Sequence, residues 1–409
     1  MNSIEDLKNI ENIHVILRLD LNVPIKNGKI IDANRIEKII PTLKYLVKKK
    51  AKIIIISHIG RPNGKVVEEL SLEPVSLYLK DKMKKNVILV KENIFNLNKN
   101  NIFKNSYEEL VLLENIRFYP EEEANDNKFS EKLASLGEIY INDAFSCSHR
   151  DHASVSNITK YLPSYYGIQI NVELNALNKI TSEIKKPVTC IIGGSKISSK
   201  INIIKNLIPK FNNIIVVGAM ANSIFKFKGL KIGKSIYEKN IDNIISEIFS
   251  YAKNNKCKIY FPKDVKVGKN LNDESIEKEF KDIQDNDIIL DAGSKTLLEI
   301  KKIIDNSSTI LWNGPLGYFE NKNFSFGSLE VAKYIAYKDD KIFSVAGGGD
   351  TVAIINSINM NNKFNFVSTA GGAFLEYLEG KVLPGIKALN KCPNWTKLHF
   401  KYYQMEKVF

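Results

Sequence analysis

The chain has 409 residues, 44% of them hydrophobic and 26% charged, which is a globular composition too long for one ordinary core, so two domains of roughly 150–200 residues are expected. Its formal net charge of +13 comes from scattered lysines such as Lys48, Lys49 and Lys50, with no arginine-rich block interleaved with aromatics, so no nucleic-acid partner is expected. Cys147, Cys190, Cys257 and Cys392 show no C-x-x-C spacing, the start "MNSIEDLKNIENIH" has no apolar leader, and the longest aliphatic run is "IIII" at 53–56; these argue against a zinc site, a disulfide framework and a membrane span, and predict a soluble cytoplasmic protein.

In chain order, short β-branched runs predict strands at 14–20, 51–58, 87–90, 110–115 and 138–145, then at 188–194, 213–219, 258–262, 287–293, 309–314, 341–348 and 365–372. Helical patterns at 35–49 and 129–137 lie between them. Continuous apolar strands alternating with helices mean parallel sheets covered on both faces. Twelve strands exceed one compact open sheet, so the predicted fold is α/β, two doubly wound, Rossmann-like domains with a cleft between them. The stretch "NVELNALNKITSEI" (171–184) carries an apolar helical stripe and predicts one helix joining them. The expected divisions are 1–168, a connector at 169–186, 187–375, and a C-terminal segment at 376–409 packing back across the hinge or the first domain.

In open α/β sheets ligands bind beyond the carboxyl ends of strands, and there the polar residues collect. The first half offers Asp20, Asn22, His58, Arg61, Arg117 and Arg150. Guanidinium forks grip carboxylate and phosphate oxygens bidentately, so this set suits a small, doubly anionic ligand. The second half offers glycine-rich tips with Lys196, Asn313 and Asp350, as a nucleotide's phosphates need. In "SVAGGGDTVAII" (344–355), Asp350 follows three glycines; it either caps the coming helix or meets a cation bound to phosphate. "GLKIGKS" (229–235) is one residue short of a P-loop and no G-x-G-x-x-G is present, which disfavours a Walker site and a dinucleotide oxidoreductase.

Ten motifs then stand in one order: "VILRLDLNVP", "SHIGRP", "LLENIRFYPEEE", "NDAFSCSHRDHAS", "IIGGSKISSKI", "VVGAMAN", "KIGKS", "WNGPLGYFE", "AGGGDT" and "STAGGAFLEYLEGKVLPG". In them the chain resembles phosphoglycerate kinases over nearly its whole length. The resemblance implies reversible phosphoryl transfer between Mg-ATP and the carboxylate of 3-phosphoglycerate, giving ADP and 1,3-bisphosphoglycerate, by a cytoplasmic monomer that closes its domains. It puts Asp20, Asn22, Arg35, His58, Arg61, Arg117 and Arg150 at 3-phosphoglycerate. It puts Lys196, Lys200, Asn313, Pro315, Gly317, Glu320, Gly348, Gly349, Asp350 and Thr351 at the nucleotide, with Mg²⁺ on Asp350. Arg35, Lys196 and the amides of Gly371 and Gly372 would meet the phosphoryl group in flight. Ser195, Ser199, Ser294 and Tyr318 depart from the common pattern, and none of them removes a charged catalytic group.

Overall fold

The computed structural model describes residues 3–99, 102–103, 109–338 and 341–391. The chain divides into two compact units, one of residues up to Leu174 rejoined from Val382 onward, the other Asn175–Lys381.

The first unit is built on a six-stranded, all-parallel sheet. Across it the order is Val87–Val90, Leu110–Leu113, Lys52–Ile56, His14–Leu19, Ile139–Asp143 and Ser164–Tyr166. Val15, Leu17, Ile53, Ile55, Leu110 and Leu112 bury one face of it against the helix Asn34–Lys48 through Ile36, Ile39 and Leu43. From His14–Leu19 the chain first winds one way across the sheet, and only later crosses to Ile139–Asp143 on the other side. The switch point therefore opens a crevice beyond the carboxyl ends of these two neighbouring strands.

The second unit repeats the plan in the order Lys258–Tyr260, Asn213–Val217, Val188–Gly193, Thr309–Asn313, Phe343–Gly347 and Phe366–Ser368. Its switch point lies between Val188–Gly193 and Thr309–Asn313.

The two parallel sheets stand as expected, but their membership corrects the sequence reading. Residues 287–293 do not join the parallel sheet: Ile288–Ala292 pairs antiparallel with Asp264–Gly268, which pairs in turn with Ile276–Glu279. The place is taken by Ser164–Tyr166 in the first unit, a strand of three residues and too short to show any periodicity.

The predicted 171–184 helix is Ile168–Thr181, and the boundary between the units falls inside it. Its early start has a tertiary cause. The Ile168 N–H donates to Thr42 Oγ1 at 3.1 Å and the Ile170 N–H to Asp143 Oδ1 at 3.0 Å, so side chains from elsewhere in the unit satisfy its first turn. The helix Pro384–Lys391 packs on the first unit, where the Gly385 N–H donates to Ser148 O at 2.9 Å. Of the aromatic, lysine-rich tail at 390–409, residues 392–409 lie outside the described residues.

Candidate functional site

In the first unit the cluster grows from the end of His14–Leu19. That strand is buried on both faces, which leaves Arg18 only 1% exposed, and its fork is fully employed. Nη1 donates to Leu19 O at 2.7 Å, Nε to Ser154 Oγ at 3.1 Å, and Nη2 to His58 Nδ1 at 3.0 Å. Ser154 Oγ donates onward to Glu122 Oε1 at 2.6 Å, so this buried cation reaches a buried carboxylate through a hydroxyl.

Two residues on, the Asp20 carboxylate accepts from Arg35 Nη1 at 3.2 and 3.3 Å. One residue ties Asn22 to Arg117: the Gly60 N–H donates to Asn22 Oδ1 at 3.0 Å, and Arg117 Nη1 donates to Gly60 O, also at 3.0 Å. Arg117 is buried, with Nε 3.2 Å from Glu123 Oε1, an ion-pair distance without hydrogen-bond alignment. Arg150 is half-buried on the loop after Ile139–Asp143, and Arg61 is exposed.

Burial, reinforced by Arg18, Arg117, Arg150 and His152, holds the His58 ring well below its usual pKa and so neutral. His152 is pushed down to about 3 by burial and by Arg117, Arg150 and Arg18. Fixed guanidinium charges beside neutral imidazoles can take an anion without help from pH.

In the second unit the strand tips meet too closely for side chains. A Cβ on Gly193 would lie 2.2 Å from Pro315 O, and one on Gly314 would lie 2.3 Å from Gly193 O. Glycine there lets two neighbouring strand ends form a bare backbone floor. Asn313 ties the floor to the next strand: its Nδ2 donates to Gly347 O at 2.6 Å, and its Oδ1 accepts from Lys200 Nζ. Thr351 Oγ1 accepts from the Gly314 N–H at 2.7 Å. Burial lowers the Lys200 pKa, while the charge of Asp350 works against that shift.

The capping alternative for Asp350 fails. The helix Gly349–Ser357 begins before it, and its N-cap is Gly348, at φ 98° with no side-chain cap. Gly349 has open space around its α-carbon, and Asp350 is exposed beside it. Lys196 is exposed on the preceding loop, Glu320 is exposed, and Gly371, at φ 56°, precedes the helix Gly372–Leu378. Gly317 has a packing reason of its own, since a Cβ would lie 2.1 Å from Leu290 O.

Sequence reasoning missed Arg18, Glu122 and Ser154, and in the second unit Glu238, whose Oε2 accepts from the Ser198 N–H at 3.1 Å and so braces the loop between Lys196 and Lys200. Arg18 had a signal, a cation inside the apolar run "HVILRLD". Glu238 had none, because it meets Ser198 only in three dimensions.

A family model described as "Phosphoglycerate kinase" matches residues 4–381. The phosphoglycerate kinase of Wolbachia sp. subsp. Brugia malayi (strain TRS) is 43% identical over 398 residues, covering 95% of this chain and 100% of that one. That of Chelativorans sp. (strain BNC1) is 40% identical over 394 residues, with coverages of 95% and 99%. Among solved structures, phosphoglycerate kinase from Coxiella burnetii superposes with a TM-score of 0.86 at 36% identity, covering 94% of this chain and 97% of that one. The enzyme from Pyrococcus horikoshii OT3 superposes with a TM-score of 0.77 at 28% identity, with coverages of 95% and 98%. Sequence and fold thus agree from one end of the alignment to the other, and the chain belongs to the phosphoglycerate kinase family.

Proposed function

We propose that the chain transfers a phosphoryl group reversibly between ATP and the carboxylate of 3-phosphoglycerate, the acid on the first unit and the nucleotide on the second. One observation carries this: the two switch-point crevices hold complementary chemistry, buried guanidinium groups in one and a bare glycine floor with a lysine and an open helix start in the other.

The acceptor carboxylate is ionised at neutral pH, its pKa being roughly 3–4, so no general base is required. The barrier is electrostatic, because charge spreads over the equatorial oxygens of the moving group. Arg117, Arg150 and Arg61 hold the acid's phosphate end, with the neutral His58 ring beside them. Arg35, oriented by Asp20, lies toward the reacting carboxylate. On the nucleotide side Lys196, Lys200 and the Gly371–Gly372 amides meet the phosphate oxygens, Asn313 and Thr351 shape the floor, and Pro315, Gly317 and Glu320 line the nucleoside end.

Asp350 is exposed next to the open Gly348–Gly349 turn and close enough to Lys200 to act on its pKa, and no group of three or more His, Cys, Asp or Glu side chains suited to a metal occurs among the described residues. That donor set fits a cation held by one carboxylate and by phosphate oxygens, as Mg²⁺ prefers. Asp350 would hold the Mg²⁺ of the nucleotide, whose charge when bound offsets that of the phosphates. Acceptor and donor residues belong to different units, so transfer calls for a closing motion that also excludes water.

We also propose a cytoplasmic monomer, since both substrates are soluble metabolites and the residues proposed for each come from one chain. No helix among the described residues is long and apolar enough to cross a membrane. The test is a coupled assay of the purified protein. Consumption of Mg-ATP that depends on 3-phosphoglycerate is expected, and consumption indifferent to it overturns the assignment.

A further inference from the structure

The second unit has a cleft of about 480 Å³ at the amino ends of its parallel strands, the opposite end of those strands from the glycine floor. Asn212 and Asn213 lie at the start of Asn213–Val217, Lys258 and Tyr260 on Lys258–Tyr260, Lys256 just after the helix Asp242–Asn254, and Lys302 in the last turn of Ser294–Asp305. The volume lies within the range of small-molecule sites.

Its charge follows from the elements that surround it. Each of the two helix carboxyl ends brings about half a negative charge, and lysines near such ends often do no more than offset it. Here three exposed lysines line the cleft beside two half-charges. The one carboxylate in the lining, Glu299, is already neutralised by Lys263, at 2.7 Å. None of Lys256, Lys258 and Lys302 takes part in an ion pair among the described residues, whereas the neighbouring Lys301 is paired with Glu330 at 3.0 Å. The remainder is roughly two positive charges in a concave site. Asn212 Oδ1 is engaged by the Val188 N–H at 3.0 Å, and Asn213 Nδ2 donates to Thr189 Oγ1 at 3.1 Å, so these amides are held in place.

We propose that this cleft is a second anion site, distinct from both substrate clusters, which takes a phosphate-bearing dianion of small-molecule size. Three lysines supply the charge, and Tyr260 lines the wall beside them. Charge of this kind is screened by salt, so binding weakens as ionic strength rises.

The experiment is equilibrium dialysis of the full chain with labelled inorganic pyrophosphate, with no divalent metal and neither substrate present, because 3-phosphoglycerate and ADP are themselves phosphate-bearing anions that would compete for the cleft. Wild type should bind about one equivalent more than the triple variant K256Q/K258Q/K302Q, in which the cleft should bind about tenfold more weakly or worse, a loss of three surface charge contacts. Its turnover should be that of wild type, which also shows that it folds. Absence of binding to wild type overturns the proposal. So does equal binding by the two proteins at any stoichiometry. Pyrophosphate that enters the substrate clusters binds both proteins alike whether or not those assignments hold, so the difference between the two proteins reads this cleft alone.

Discussion

Arg18 Nη2 lies 3.0 Å from His58 Nδ1, both side chains being buried. A guanidinium can only donate, so Nδ1 must offer its lone pair and the ring proton must sit on Nε2. Arg18 thus fixes the tautomer of His58, adds to the burial that keeps the ring neutral, and leaves Nε2–H as the ring's donor. Arg18→Lys keeps the charge but cannot span Leu19 O, Ser154 and His58 together. The expected outcome is a rise of roughly 10–100-fold in KM for 3-phosphoglycerate, the worth of one charge-assisted hydrogen bond, with KM for ATP little changed. Steady-state kinetics with each substrate varied in turn checks this, and an equal rise in both constants would mean that the substitution loosens the whole protein instead.

Arg35 is half-buried and held on the Asp20 carboxylate at 3.2 Å, a partnership that aims it without burying its charge. Arg35→Ala should lower kcat by roughly 10²–10³, the usual cost of a preorganised donor that acts on the transition state, and should change the Kd of 3-phosphoglycerate far less. Single-turnover rates beside calorimetric binding separate the two effects. Unchanged turnover takes Arg35 out of the chemistry.

Asp350 follows the uncapped start of Gly349–Ser357 and has no structural duty as its N-cap. Asp350→Asn should therefore leave thermal stability almost unaltered. It should weaken Mg-ADP binding by about tenfold or more, with 3-phosphoglycerate spared. Calorimetry with and without Mg²⁺ decides the matter, since metal-free ADP should bind both proteins alike.

Burial pushes the Asp143 carboxyl up to about 7, against hydrogen bonds from Thr42 Oγ1 and from the first turn of Ile168–Thr181. Between about pH 4 and 7 the native state keeps a proton there that the unfolded chain has lost, so this group's contribution to stability is complete at low pH and fades as pH rises towards 7. His152, held at about 3, works the other way, costing stability as pH falls from about 6.5. Asp143→Asn removes the first effect alone. Relative to this variant, wild type should lose up to roughly 4 kcal/mol of stability between pH 4 and pH 8. Denaturant titrations at a series of pH values measure it, and a constant difference would place the Asp143 pKa in the ordinary range.

Much of the molecule was legible in the residues taken alone. Strand periodicity and apolar runs depend on neighbours in sequence, so the two α/β sheets and most of their strands could be read directly, as could the glycine tips around Gly193, Gly314 and Gly348. Arg117 stood out with the other polar groups gathered at strand ends, whereas Arg35 and Lys200 were named only through the resemblance, since neither ends an apolar run. The three-residue strand Ser164–Tyr166 and the antiparallel partner of Ile288–Ala292 were not legible, because strand pairing is a long-range choice made by the space left beside a sheet.

Tertiary structure alone decided which polar groups meet. Gly60 joins Asn22 to Arg117 across 95 positions of sequence (22 to 117), Glu238 finds Ser198, and Asp143 reaches the start of a helix that no local pattern assigns to it. Local sequence sets what each segment can form, since backbone conformation and side-chain alternation act over a few residues. The order of strands in a sheet places the crevices, and burial sets the protonation of what lies in them. Both arise only once distant segments have packed together.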